Sequence, residues 1–291
     1  MESVEALSRR AFLQMALLGG AASLAFPPSS RAQGAPFRFG LTPVFLSNDL
    51  ELLGHLRAYL ESKLGGPVEL VSRRTYQEIT ALLVSGQVHA AWICGYPFVQ
   101  FRDELELVAT PSWQGAPLYR SYLITSAGRN VGWQSLRGDI HAFSDPDSNS
   151  GFLVTAALLA ENGLRPDQFF SRHFFTYGHR NVIRAVALGL AQSGSVDGYV
   201  WEVMRQIEPD LIGRTEIVRQ SELLGFPPVA TARALGSDKR IGLLRRALLS
   251  MHDDSEGRRV LDMLRLDGFV ATDASHFDTI AAKVAAVGQT G

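Results

Sequence analysis

Apolar and polar residues alternate in blocks along most of this chain. From residue 36, short apolar runs give way to longer segments with helical spacing, and the blocks then repeat. Residues 37–42 predict a first strand. Residues 49–64 predict a helix, with Leu52, Leu53, Leu56, Tyr59, Leu60 and Leu64 on one face. Gly65-Gly66-Pro67 stops that helix. A second strand is expected at 68–72, a second helix at 76–85 ended by Gly86, and a buried strand at 90–93 that runs into Cys94-Gly95-Tyr96-Pro97. A β-α-β-α-β succession implies a parallel sheet with helices on its faces.

A second unit of the same kind begins near residues 122–125. Strands are expected at 140–143, 174–177 and 198–200, helices at 151–162 and 181–190, and one more strand at 216–220. After Phe226-Pro227-Pro228 the tail reads as three helices, at 240–251, 256–264 and 274–287. Two similar α/β units and a chain that returns late predict two lobes. The outer lobe takes 36–119 plus 230–291 and the inner lobe 124–226, with hinge crossovers at 120–125 and 226–234. In open α/β sheets a ligand sits beyond the carboxyl ends of the strands, here the cleft between the lobes.

The residues just after the predicted strands are therefore the candidates. In the outer lobe they are Phe45 within Pro43-Val44-Phe45-Leu46-Ser47, then Tyr76, then Tyr96. In the inner lobe they are Ser148, Asn149 and Ser150, then His179, then Tyr199 and Trp201. The segment SDPDSNSG (144–151) is the most informative of these. A strand enters a turn, three small polar residues follow, and an apolar helical run begins at Phe152. Such a helix start offers free N–H groups, hydroxyls and partial positive charge to a tetrahedral oxyanion. The plainer reading is an N-cap after a turn, with Asp145 and Asp147 as turn formers. His179 reads either as a cap or as a donor to an anionic oxygen. Trp201 reads as cleft wall or as core, and Glu202 as a helix start or as a partner for a ligand cation or for the histidine. Arg73-Arg74 reads as a solvated pair. Cys94 is either a small buried residue or a thiolate for a soft species.

Composition narrows the class. The chain has 291 residues, 46% hydrophobic and 20% charged, which is a globular profile and not a disordered one. A net charge of −1 with no basic block argues against nucleic acid as a partner. Ser8-Arg9-Arg10-Ala11-Phe12-Leu13 is a twin-arginine pattern, followed by an apolar run at 15–26 that is too short to span a bilayer. Ser30-Arg31-Ala32 places cleavage after Ala32, so residues 1–32 read as an export leader to the periplasm and the mature chain as soluble. With one cysteine, Cys94, the chain forms no internal disulfide. No His/Cys/Asp spacing supports a metal, and no cofactor is expected.

These segments occur in a telling order. FRFGLTP, the Tyr76 helix, AWICGYPFV, YRSYLIT, AFSDPDSNSG, YGH at 177–179 with AVALG, and VDGYVWE span about residues 37–235. Together they resemble the periplasmic phosphate/phosphite/phosphonate-binding proteins of ABC transporters. The specific part is Ser-x-Ser-Gly at a helix start, with Gly-His about thirty residues later. The resemblance implies an α/β, two-lobe type II periplasmic-binding-protein fold that closes like a Venus flytrap, each lobe a mainly parallel sheet flanked by helices. It implies that Ser148, Asn149, Ser150 and His179 hold the oxyanion while Tyr76 and Tyr96 close over it. Asn149 stands where the family often has threonine, keeping a donor and losing the hydroxyl. The acidic residues that receive an aminoalkyl group in aminophosphonate binders have no clear match. Tyr199 and Trp201 stand in that region, which favours a smaller anion.

The function expected is a solute-binding protein that captures a phosphate-like oxyanion and delivers it to an ABC permease, as a monomer and without inserting into the membrane. The alternative is an oxyanion or arsenite sensor acting with a histidine kinase. A third reading, an enzyme with Ser148 or Ser150 as nucleophile and His179 as base, lacks an orienting third group and a nucleophile elbow.

Overall fold

The computed structural model describes residues 35–42 and 50–289. The expected twin-arginine leader, its expected cleavage point and Phe45 lie outside these residues. The first unit runs β1 (Phe37–Leu41), α1 (Leu50–Leu64), β2 (Val68–Ser72), α2 (Tyr76–Val84), β3 (Ala90–Trp92), α3 (Gly95–Gln100) and β4 (Leu105–Ser112). The chain then crosses through β5 (Leu118–Tyr119) into β6 (Ser121–Ser126) and β7 (Ile140–Phe143). A π-helical turn at Asn149–Leu153 leads into α4 (Val154–Ala160). Next come α5 (Pro166–Phe169), β8 (Arg172–Phe175), α6 (His179–Ala187), β9 (Ser193–Asp197), α7 (Gly198–Ile207), α8 (Pro209–Ile212) and β10 (Thr215–Gln220). The return passes through β11 (Leu224–Gly225) and β12 (Val229–Ala232) to α9 (Lys239–Leu249), α10 (Ser255–Leu264), β13 (Gly268–Val270) and α11 (Asp278–Gly288).

Two sheets result. The first has the order β13-β4-β12-β3-β1-β2, and the second β10-β6-β9-β7-β8. Both have a parallel heart: β1 pairs parallel with β2 and β3, and β7 pairs parallel with β8 and β9. Antiparallel strands complete each sheet where the chain changes lobe. β12 is antiparallel to β3 and β4, and β6 is antiparallel to β9 and β10. The two crossing segments pair with each other, β5 against β11, antiparallel. The segments that change lobe are therefore held to each other at the crossing.

Local sequence explains the elements that reach the cleft. Thr75 and Glu78 form a capping box at the start of α2: the Glu78 N–H donates to Thr75 Oγ1 at 3.2 Å, and the Thr75 N–H donates to Glu78 Oε2 at 3.0 Å. Asp197 caps α7 by accepting the Val200 N–H at 3.2 Å. The serine-rich start of the α4 segment is a π turn, with the Leu153 N–H donating to Ser148 O at 3.0 Å. Such turns widen a helix and recur at functional sites.

Two expectations are corrected here. The strand expected at 198–200 lies earlier, as β9, and Gly198 begins α7. Ser193, Gly194 and Ser195 are small and polar, yet every residue of β9 is buried. Their hydroxyls are satisfied inside: His141 Nδ1 and Nε2 lie 2.8 Å from Ser193 and Ser195 Oγ respectively, and Ser195 Oγ lies 2.7 Å from Thr155 Oγ1. The segment after Cys94, expected as a loop, is the short helix α3.

The His141 ring stacks on Phe170 at 4.0 Å, and burial holds its pKa well below the usual histidine value. A histidine with a depressed folded-state pKa contributes stability that is present above its unfolded pKa and lost as pH falls. His141→Gln is expected to remove up to one proton's worth of that loss, about 1.4 kcal/mol per pH unit, between about pH 6.5 and 5. Urea unfolding of both proteins at stepped pH measures the difference in slope.

Candidate functional site

Residues after β2, β3, β7 and β8, with Tyr119 of β5 and Asp197 at the end of β9, meet in one cluster between the lobes. From the first lobe come Tyr76, Cys94, Tyr96 and Tyr119. From the second come Asp145, Ser148, Asn149, Ser150, His179 and Asp197. Ser148 and Asn149 are 0% exposed, Ser150 1% and His179 2%.

The helix start is built tightly. Ser148 Oγ accepts the Gly151 N–H at 3.0 Å, and Ser121 Oγ donates to Ser150 O at 2.7 Å. Gly151 is needed for this approach, since a Cβ there would fall 1.8 Å from Ser144 Oγ. Facing contacts come from the other lobe. The Asn149 N–H donates to Cys94 Sγ at 3.2 Å, and Asn149 Nδ2 donates to Tyr119 OH at 2.8 Å. Asn149 Oδ1 and Ser144 Oγ are buried without a hydrogen-bond partner.

His179 is polarised by its own lobe. The Asp197 N–H donates to His179 Nδ1 at 3.1 Å, so the proton of the neutral ring sits on Nε2. Nε2 lies 3.3 Å from Tyr76 OH across the cleft. Burial pushes the imidazole pKa down to about 3, so it is a neutral donor at every working pH. The residue before Gly178 carries strain: Tyr177 has φ of 54°, a left-handed conformation unusual for a tyrosine. Its ring lies under the Arg74 guanidinium at 5.1 Å, while Arg74 itself is exposed.

Asp197 is a buried acid of the cluster, at 1% exposure. Burial pushes its carboxyl up to about 7, against the N–H groups at the start of α7 and the Ser150 hydroxyl, which draw it down. The Tyr76 and Tyr119 phenols are pushed well above their usual value, first by burial and then by the neighbouring acids and thiol. Cys94 is likewise raised to about 12, so it is a thiol and not a thiolate.

Six of the residues singled out from sequence are brought together: Tyr76, Tyr96, Ser148, Asn149, Ser150 and His179. Tyr96 is half-buried and packs against Tyr76 and Cys94. Tyr199 and Trp201 are not in the cluster. Tyr199 donates its hydroxyl to Leu264 O and packs edge-on to Trp113 and Phe226. Trp201 donates to Thr215 Oγ1 at 3.2 Å and packs edge-on to Tyr122. Both rings are core because α7 turns them away from the cleft when the helix begins at Gly198. Glu202 bonds Tyr122 and Arg205, not the histidine. Tyr119 and Asp197 are the members that sequence reasoning misses.

A model of the family described as "ABC transporter, phosphonate, periplasmic substrate-binding protein" matches residues 39–277. The chain belongs to this family. Its members bind a substrate for ABC transporters and are not enzymes, so the serine–histidine hydrolase reading falls away. Among curated proteins, the chain is 27% identical over 229 residues to the phosphate-import protein PhnD of Mycolicibacterium smegmatis, covering 73% of this chain and 71% of that one. Among solved structures, a binding protein component of an ABC phosphonate transporter from Pseudomonas aeruginosa superposes with a TM-score of 0.80 at 21% identity, over 88% of this chain and 87% of that one. PhnD1 from Prochlorococcus marinus, in complex with methylphosphonate, superposes at 0.78 and 16% identity, over 87% and 98%. These likenesses show the type II two-lobe fold.

Closure makes Cys94 a reporter. Raising the thiol from 9.0 to about 12 cuts its thiolate about a thousandfold at a given pH, and the lobes cover it. Labelling of native protein by a thiol-reactive disulfide at pH 8 is expected to be slower than labelling of urea-unfolded protein by at least that factor. Comparable rates would mean that the cleft stands open in solution.

Proposed function

We propose that this chain captures a small tetrahedral phosphorus oxyanion (phosphonate, phosphite or phosphate) in the periplasm and hands it to an ABC permease. The observation that carries the reading is the sealed helix start Ser148-Asn149-Ser150, faced by Tyr76, Tyr119 and the Nε2–H of His179. Its donors are neutral. A helix N-terminus, hydroxyls and a neutral imidazole can hold a desolvated anion without an ion pair, which suits binding that must later be released. Turning the Asn149 carboxamide by half a turn lets Tyr119 donate to Oδ1 and frees Nδ2 for the anion. The crowding by Tyr76, Cys94 and Tyr119 favours an anion with a small substituent. The curated relative is a phosphate-import protein and one structural relative holds methylphosphonate, both of that size. Those relatives are transport components, and the kinase-coupled sensor finds no support among them.

Asp197 is assigned the discriminating role. Ionised, it accepts a proton shared by a protonatable oxyanion. Protonated, it donates to a dianion. Sulfate carries no proton to offer, so an ionised Asp197 repels it. The test is titration calorimetry with methylphosphonate, phosphate, phosphite, aminoethylphosphonate and sulfate. Micromolar or tighter binding of one of the phosphorus oxyanions and none of sulfate at pH 8 is expected. Ser148→Ala and His179→Ala should each cost about 1.5–3 kcal/mol, and Asp197→Asn should bring sulfate affinity closer to that of the phosphorus anion. No binding by any phosphorus oxyanion would refute the reading.

The lobe limits 36–119 plus 230–291 and 124–226, the monomeric state and export of residues 1–32 by the twin-arginine route belong to the same reading. The pair Arg9-Arg10 ahead of an apolar run supports the route. Replacing both arginines by lysine is expected to leave uncleaved precursor in the cytoplasm, seen by fractionation. Normal maturation of that variant would argue for another route.

A further inference from the structure

Asp145 does more than turn the chain. Its Oδ1 accepts the Asp147 N–H at 2.8 Å and its backbone carbonyl accepts the Ser148 N–H at 3.0 Å, which shapes the turn ahead of the anion seat. Its second carboxylate oxygen, Oδ2, leaves the lobe altogether. It accepts the N–H of Tyr76 at 3.2 Å, from a residue 69 positions away in the opposite lobe. Tyr76 is the first residue of α2, immediately after its Thr75 cap. The N–H groups of a helix's first turn lack intrahelical partners and carry the positive end of the dipole. The Thr75–Glu78 box engages the Thr75 and Glu78 N–H groups, and Asp145 takes that of Tyr76. Asp145 is 1% exposed, so this bond forms in a desolvated place where charge-assisted bonds are strong.

We propose that Asp145 is an interlobe latch: by capping the outer-lobe helix α2 from within the inner-lobe turn, it joins closure of the cleft to assembly of the Ser148–Ser150 seat. One residue thus senses two things, the shape of the turn that presents the ligand donors and the arrival of the opposite lobe. Tyr76 answers from the other side, since its N–H meets Asp145 while its hydroxyl meets His179. The latch rests on the oxyanion-binding reading only for its consequence on ligand release. Its effect on lobe closure stands apart from ligand identity.

The two roles of Asp145 separate by substitution. Asp145→Asn keeps an acceptor for the Asp147 N–H but turns an NH2 group toward Tyr76, setting donor against donor. Asp145→Ser keeps a hydroxyl able to form the turn and is too short to cross the cleft. Asp147→Asn changes the same turn without touching the cross-cleft bond and is the control. Small-angle scattering of ligand-free protein comes first. The wild type and Asp147→Asn are expected to share one radius of gyration, and Asp145→Asn and Asp145→Ser a larger one, with melting curves that remain cooperative. Stopped-flow displacement of methylphosphonate comes second, with dissociation about tenfold to a hundredfold faster in both Asp145 variants, as expected for loss of one charge-assisted bond. Folded Asp145 variants with unchanged radius and unchanged dissociation would overturn the latch. So would unfolding of both variants, because Asp145 would then be a turn residue alone. If the wild type binds no phosphorus oxyanion yet the radii differ as stated, the latch stands and the ligand reading fails.

Discussion

The docking of the Ser148–Ser150 helix start against the opposite lobe is the interaction on which the cleft depends. It brings a positive helix end, three small polar side chains and two tyrosine hydroxyls into a space with almost no solvent contact. Polar groups buried in that way are tolerable only if each finds a partner. Most do, and they find it across the cleft: Asn149 on Cys94 and Tyr119, His179 on Tyr76, Asp145 on the Tyr76 N–H. The closed arrangement is therefore specified by hydrogen bonds at the cluster, alongside apolar contacts between the lobes such as Tyr199 on Trp113. Few of those bonds exist when the lobes part, since their donors and acceptors sit in different lobes.

The same burial sets the charges. Desolvation drives every ionisable group in the cluster toward its neutral form: His179 down to about 3, Asp197 up to about 7, Cys94 up to about 12. A neutral imidazole and neutral phenols remain donors across a wide pH range. Asp197, raised to about 7, changes charge near neutrality, so the cluster holds a switchable acid among its dipoles. That acid is also the cap of α7 and the residue whose N–H orients His179. Tautomer and acid strength are thus governed at one strand end.

Much of this is legible in the sequence, and the failures have physical reasons. The parallel core strands announce themselves as apolar runs before turn residues, and each such turn in the inner lobe points to a cleft residue: Ser148, Asn149 and Ser150 after β7, His179 after β8. The third turn is misplaced because β9 is built of Ser193, Gly194 and Ser195. These look like loop residues until His141 and Thr155 satisfy them from neighbouring elements. With the strand read late, Asp197 falls outside the turn and Tyr199 and Trp201 take its place among the candidates. Moving the strand back exchanges them. Tyr119 is hidden for another reason, since it belongs to a two-residue strand at the crossing whose ladder partner among the described residues is β11. The reach of Asp145 to Tyr76 joins residues too distant in sequence for any local pattern to record.

The geometry also explains why the serine–histidine pair here is poorly placed to react. A nucleophilic serine needs a base able to take its proton. The basic nitrogen of His179, Nδ1, is already engaged by the Asp197 N–H, and Nε2 holds the ring proton. Ser148 Oγ is tied as acceptor to the Gly151 N–H. With its pKa at about 3, the imidazole has little appetite for another proton. Each feature that disqualifies the pair for proton transfer improves it as a fixed donor array. The Asp197 N–H that blocks the base is the one that aims Nε2–H toward Tyr76 and the seat. The absence of a free base at this pair thus follows from where β9 ends.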